Sequence, residues 1–97
     1  MADPTAAGGP VRSTVRIVNS QGLHARPISS FVQTCQGFDA RVQVQGPGGE
    51  ADGGSVLQMM GLGAPQGSEL TIEAVGPQAR EVVAALETLV SGGFGET

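Results

Sequence analysis

A chain of 97 residues with 39% hydrophobic residues can close one thin core but not two, so it reads as a single small domain. Its net charge of −4, with no lysine anywhere, excludes the polybasic footprint of a DNA- or RNA-binding protein. No apolar run approaches the roughly 20 residues that span a bilayer, so membrane insertion is not expected. One cysteine cannot form an internal disulfide, and the N-terminus lacks the basic and apolar blocks of a signal peptide; the expected compartment is the cytoplasm. With three Phe and neither Trp nor Tyr, the core must be built from Val, Leu, Ile, Met and Ala.

Residues 1–12 read as a disordered tail, because two prolines and no hydrophobic period cannot offset the entropy of ordering. Residues 13–18 form the first expected strand, with Val15 and Ile17 alternating with Thr14 and Arg16. Asn19-Ser20-Gln21-Gly22 is a polar loop. Residues 25–36 read as a helix whose stripe, Ile28, Phe31, Val32 and Cys35, falls at i, i+3, i+4 and i+7. Pro27 is compatible with its first turn, where a missing N–H breaks no helical bond, and Gly37 is the expected C′ residue.

Residues 40–45 alternate again, Ala40, Val42 and Val44 one way and Arg41, Gln43 and Gln45 the other, as in an antiparallel sheet wet on one face. A glycine-rich turn leads to a short return strand over 50–52. Ser55 is the natural N-cap of a short helix, Val56-Leu57-Gln58-Met59-Met60, which Gly61 and Gly63 close. Residues 70–75 form a strand with Leu70, Ile72 and Ala74 inward. Gly76-Pro77 opens the last helix with proline at its first position, and Ala79, Val82, Val83, Leu86, Leu89 and Val90 are its buried face. Residues 92–97 read as a frayed end. The order β-α-β-β-α-β-α implies an α+β fold: an open-faced two-layer sandwich, a four-stranded antiparallel sheet covered by three helices, spanning 13–91.

The stretch with the most chemistry is Gly22-Leu23-His24-Ala25-Arg26-Pro27, which holds the only histidine. An isolated histidine is more often a surface or capping residue. Here it falls where strand gives way to helix, beside amides that lack intrahelical partners and the positive end of the helix dipole. Arg26 adds a forked donor at a helix end where a cation is mildly unfavourable, and phosphate pairing is a task that explains it. The dipole and Arg26 both disfavour imidazolium, so the free ring is expected to attack as the neutral base. A ring nitrogen beside an anion site is the minimum equipment for carrying a phosphoryl group on histidine. Cys35 lies on the apolar stripe and reads as a small core residue. Gly53-Gly54-Ser55 is no nucleotide-binding loop, since that chemistry needs a lysine. Neither a metal site nor a cofactor is indicated.

These residues resemble a known family. Gly22-Leu23-His24-Ala25-Arg26-Pro27 is similar to the active-site signature of HPr, the histidine-containing phosphocarrier protein of the bacterial phosphoenolpyruvate-dependent phosphotransferase system. Ser55-Val56-Leu57-Gln58-Met59-Met60-Gly61-Leu62-Gly63 is similar to the family's second signature, around a regulatory serine. The resemblance covers about residues 13 to 91, and two motifs in register are far more specific than either alone. It implies that Enzyme I, charged by phosphoenolpyruvate, phosphorylates His24 on Nδ1, that Arg26 stabilises the phosphate, and that EIIA-type domains, commonly of sugar transporters, take it onward. It implies a phosphoryl-transfer intermediate, acting as a monomer, rather than a free-standing enzyme. In some branches an HPr kinase/phosphorylase modifies the equivalent of Ser55, where a phosphate at a helix N-terminus need not unfold the helix. The face that meets partners implies docking roles for Val56, Leu57 and Met60, where adaptable Met suits a surface serving several partners. One departure is that family members often carry lysines around that face; here its cations are Arg26 and Arg16, so electrostatic steering is weaker. Two alternatives belong to other classes: a regulatory interaction protein controlled by Ser55 phosphorylation, and a structural or small-molecule-binding domain.

Overall fold

In the computed structural model, which describes residues 9–96, the chain runs β1 (Val11–Arg16), α1 (Ala25–Gln36), β2 (Arg41–Gly46), β3 (Gly49–Asp52), α2 (Val56–Met60), β4 (Glu69–Val75) and α3 (Ala79–Ser91), with a 3-10 turn over Gly93–Gly95. All four strands form one antiparallel sheet in the order β1-β4-β2-β3. β4 lies inside it, pairing Val11↔Ala74 through Arg16↔Glu69 on one side and Arg41↔Val75 through Gln45↔Thr71 on the other. Alternation decides which way each strand faces: Leu70, Ile72, Ala74, Val42 and Val44 are buried, while Arg41, Gln43 and Gln45 stay in water.

The helices close the buried face. Ile28 and Phe31 from α1, Met59 from α2 and Leu86 from α3 join Leu70 and Ile72 in the core, each under 2% exposed. Emptying such a site costs roughly 3–5 kcal/mol for Phe→Ala, so α1 is seated on a rigid support. The outer face of the sheet carries the pairs Arg12–Glu73 (2.7 Å) and Arg16–Glu69 (3.1 Å). Exposed pairs of this kind contribute about 0–1 kcal/mol, so strand register rests on the buried alternation and not on them. Among the described residues no helix is long and apolar enough to cross a membrane.

Several boundaries differ from the sequence reading, each for a tertiary reason. β1 begins at Val11, inside the stretch expected to be tail, because β4 is long enough to offer Ala74 and Glu73 as partners to Val11 and Arg12. It also leaves regular pairing at Arg16; Ile17 is bonded to the loop instead, its N–H to Ser68 O and its carbonyl from the Gly67 N–H. Residues 1–8, the rest of that expected tail, lie outside the described residues, as does Thr97. The return strand starts one residue early, at Gly49. Gly37 caps α1 with φ −80°, an ordinary right-handed conformation and not the left-handed C′ geometry. Pro77 is not the first residue of α3: Gln78 is the N-cap, clamped because its N–H donates to Asp39 O (3.0 Å) and its side-chain Oε1 accepts from Asp39 N (2.7 Å). Leu89 is only half-buried on α3.

Candidate functional site

The loop before α1 is shaped by one glycine. Gly22 has φ +71°, and a Cβ there would stand 2.7 Å from Ala64 O and 2.9 Å from Pro65 Cα. The close approach lets Leu23 N–H donate to Ala64 O at 2.8 Å. His24 follows as the N-cap of α1, in extended conformation, its carbonyl accepting the first helical bond from Ile28 N–H at 3.0 Å. Its side chain makes no capping bond, so the ring is left for other work. The first-turn amides of Ala25 and Arg26 have no intrahelical acceptor, and Pro27 has no N–H to orphan. Together with the helix dipole they favour an anion beside His24.

The ring of His24 is 36% exposed, and its Nε2 lies 3.0 Å from Oε2 and 3.1 Å from Oε1 of Glu96. Asn19, 1% exposed, sits behind this contact: its Nδ2 donates to Gly22 O at 2.7 Å and to Glu96 Oε1 at 3.0 Å. Two acceptors on one side enforce this amide orientation, and Asn19 Oδ1 is buried with no partner as a result. A buried orphan of this kind costs about 1–3 kcal/mol, a price the two donated bonds offset. The Glu96 carboxyl is held below its ordinary range, first by the His24 hydrogen bond, then against some desolvation by the Asn19 bond and the charges of His24 and Arg26.

Neither Asn19 nor Glu96 was singled out by the sequence reading. Residues 93–95, in the stretch expected to fray, form the turn that delivers Glu96, with φ of +67° at Gly93, +58° at Phe94 and +76° at Gly95. Phe94 holds a left-handed conformation that costs a non-glycine residue roughly 1–2 kcal/mol, and it is held there by packing against the core. The available signal was an apolar residue between glycines, which marks an anchored turn as readily as a loose end.

Arg26 is exposed and makes no hydrogen bond or ion pair with any described residue, which leaves its guanidinium open to a phosphate. Arg16, the other cation expected on this face, is engaged by Glu69 and by Gly67 O at 3.1 Å. Ser55 caps α2, its Oγ accepting from Gln58 N–H at 3.1 Å. Val56, Leu57 and Met60 are 44%, 83% and 56% exposed, whereas Met59 between them is fully buried. The docking candidates thus form an apolar patch anchored by one inward methionine. α2 packs on α1, and the loop that follows it reaches the His24 loop through Ala64, so patch and histidine share one rigid frame. The Cys35 thiol is buried and pushed up to about 12, by burial first and by the Asp52 charge second, which makes it inert as a nucleophile. Among the described residues no cluster of three or more His, Cys, Asp or Glu gathers to hold a metal.

Comparison with known proteins gives one answer at three levels. A family model described as the PTS HPr component phosphorylation site matches residues 11–92. Phosphocarrier protein NPr of Escherichia coli K12 is 40% identical over 87 residues, covering 89% of this chain and 97% of that one. Phosphocarrier protein HPr of Vibrio cholerae is 40% identical over 76 residues, covering 78% and 89% respectively. The crystal structure of HPr-C-His from Thermoanaerobacter tengcongensis superposes with a TM-score of 0.84 at 34% identity, over 90% of this chain and 98% of that one.

Proposed function

The chain belongs to the HPr family of phosphocarriers of the phosphotransferase system, and from that premise we propose that it accepts a phosphoryl group from phosphorylated Enzyme I on His24 and hands it to EIIA-type domains. The observation that carries this reading is the seat of His24: an N-cap whose ring takes no part in capping and remains 36% exposed. In the transfer, the lone pair of Nδ1 forms the new N–P bond while the donor's bond to phosphorus breaks and its electron pair stays with the donor. The phosphoryl anion is met by the first-turn amides of α1 and by Arg26. Charge at a helix N-terminus is stabilised by roughly 0.3–1 kcal/mol, a modest hold that suits a group which must leave again.

Val56, Leu57 and Met60 supply the docking patch for both donor and acceptor, a surface rich in adaptable apolar contact and poor in charge. The protein acts in the cytoplasm, as a monomer. Phosphoenolpyruvate and Enzyme I should label the wild-type protein with an acid-labile phosphate that is absent from His24→Ala. An unlabelled wild type, or a label that survives in His24→Ala, sinks the proposal.

A second reading is favoured by one observation: the half-buried Ser55 stands at the edge of the same apolar patch. Phosphorylated by an HPr kinase/phosphorylase, it would place a dianion where partners dock. In this reading the chain is a regulatory interaction protein, and Ser55→Ala abolishes the cellular phenotype while His24→Ala spares it; the opposite pattern rejects it.

A further inference from the structure

We propose that the Enzyme I docking on α1 and α2 of this chain presents an apolar contact face without carboxylates, and that a donor whose docking site is built on acidic side chains is refused. This rests on the carrier reading and names the chemistry of its partner.

Charge is divided between two sides of the molecule. Residues 19–38 and 53–68 contain α1, α2 and the loops around them, and their ionisable side chains are His24, Arg26 and Cys35. Cys35 is buried and neutral, its thiol pushed up to about 12. Arg26 is therefore the single permanent charge of those segments. Other charges lie on the outer face of the sheet, as the pairs Arg12–Glu73 and Arg16–Glu69 do, or on α3, as Arg80 and Glu87 do.

The charges that border the uncharged side are both acids. Asp52 ends β3 just ahead of α2; its Oδ1 accepts from Gly54 N–H at 2.8 Å, and its own N–H donates to Gln58 Oε1 at 2.8 Å. Glu96 lies against His24. To a partner's carboxylate, each is a like charge.

A carboxylate buried at an interface is tolerated where a cation pairs with it. Arg26 is the candidate, and in the phosphorylated carrier it faces the phosphoryl anion. A carboxylate pressed onto Val56, Leu57 and Met60 loses its water, finds no cation and meets Asp52 or Glu96 at the rim. An apolar side chain has no such loss, and it gains by covering Leu57 and Met60, which are 83% and 56% exposed. One class of partner is rewarded and the other penalised, which is specificity. The same side supplies almost no field to steer an encounter, so association is insensitive to salt.

The test is calorimetry with purified Enzyme I of the same organism. Wild type is titrated from about 0.05 to about 0.5 M NaCl, a range over which the screening length falls roughly threefold. Its Kd should change by less than about threefold. Two opposite charges are then set at one exposed position, Leu57→Lys and Leu57→Glu, where substitution leaves the fold intact. Both should bind roughly tenfold or more weakly than wild type, and within about threefold of each other, because an uncharged face pairs with neither sign. Leu57→Lys binding as wild type does, or roughly tenfold more tightly than Leu57→Glu, places carboxylates opposite α2 and overturns the inference. So does a wild-type Kd that weakens roughly tenfold across the salt range, a result that needs no variant to fold. If both variants bind as wild type does, α2 lies outside the docking surface and the inference falls alone, since labelling of His24 still upholds the carrier reading. A wild type that neither binds Enzyme I nor takes phosphate from it overturns the carrier reading, and the inference with it.

Discussion

Nε2 of His24 and the carboxylate of Glu96 meet at 3.0 Å across 72 residues of chain, one at the first helix and the other beyond the last. The contact ties the C-terminal turn to the loop before α1, so it has a pH signature. Glu96 is depressed below its ordinary value of 4.5, chiefly by the His24 hydrogen bond. A carboxyl whose folded pKa is lowered adds stability that is present above its unfolded pKa and lost as pH falls through the folded one. The stability gap between wild type and Glu96→Gln, from urea unfolding, should therefore be full above pH 4.5 and close as pH drops further. A gap that stays constant through that acid range contradicts the contact.

Gly22→Ala should be destabilising for two reasons that act together. The left-handed φ of +71° costs an L-residue roughly 1–2 kcal/mol. A new Cβ would also press on backbone, 2.7 Å from Ala64 O, and backbone yields less readily than a side chain. The loss should exceed the conformational term alone in denaturant unfolding. Relief of the clash must also move Leu23 N–H away from Ala64 O, so phosphoryl uptake should fall more than the loss of folded protein accounts for.

The short helix α2 gives opposite outcomes at adjacent positions. Leu57 is 83% exposed and Met59 fully buried. Leu57→Arg should leave stability within about 0.5 kcal/mol, as exposed substitutions do, yet weaken binding to Enzyme I roughly tenfold or more if it lies at the centre of the docking patch. Met59→Ala should cost about 2–5 kcal/mol of stability. Isothermal calorimetry against Enzyme I and thermal unfolding separate the two. Normal binding by Leu57→Arg removes α2 from the docking surface.

What could be read in the sequence follows from how local each cause is. The stripe Ile28, Phe31, Val32, Cys35 and the alternation of Leu70, Ile72 and Ala74 show themselves within a few residues, because one face of each element is buried. His24 and Ser55 were legible as caps for the same reason. The start of β1 was not, since Val11 is a strand residue only because Ala74 lies opposite. Nor was the start of α3, where Asp39, from the loop before β2, clamps Gln78 and displaces the proline rule. Glu96 left one faint local trace, Phe94 between two glycines as a sign of an anchored turn, because its partners Asn19 and His24 lie more than 70 residues away.

Ser55 allows the capping and signalling roles of one hydroxyl to be separated. Its Oγ accepts from Gln58 N–H at 3.1 Å, and Gln58 in turn accepts from Asp52 N through its side-chain Oε1 at 2.8 Å. Ser55→Ala removes the cap and should cost about 1 kcal/mol, measured by thermal unfolding. Ser55→Asp keeps an acceptor at the cap and places an anion near the helix N-terminus, so it should restore most of that loss. For partner binding the order reverses. Ser55→Ala leaves the apolar patch uncharged and should bind Enzyme I nearly as wild type does. Ser55→Asp sets a charge beside Val56 and Leu57, which are exposed, and binding should weaken. If Ser55→Asp is both stable and fully competent for binding, a phosphate at this position has no electrostatic route to the docking patch, and Ser55 is a cap alone.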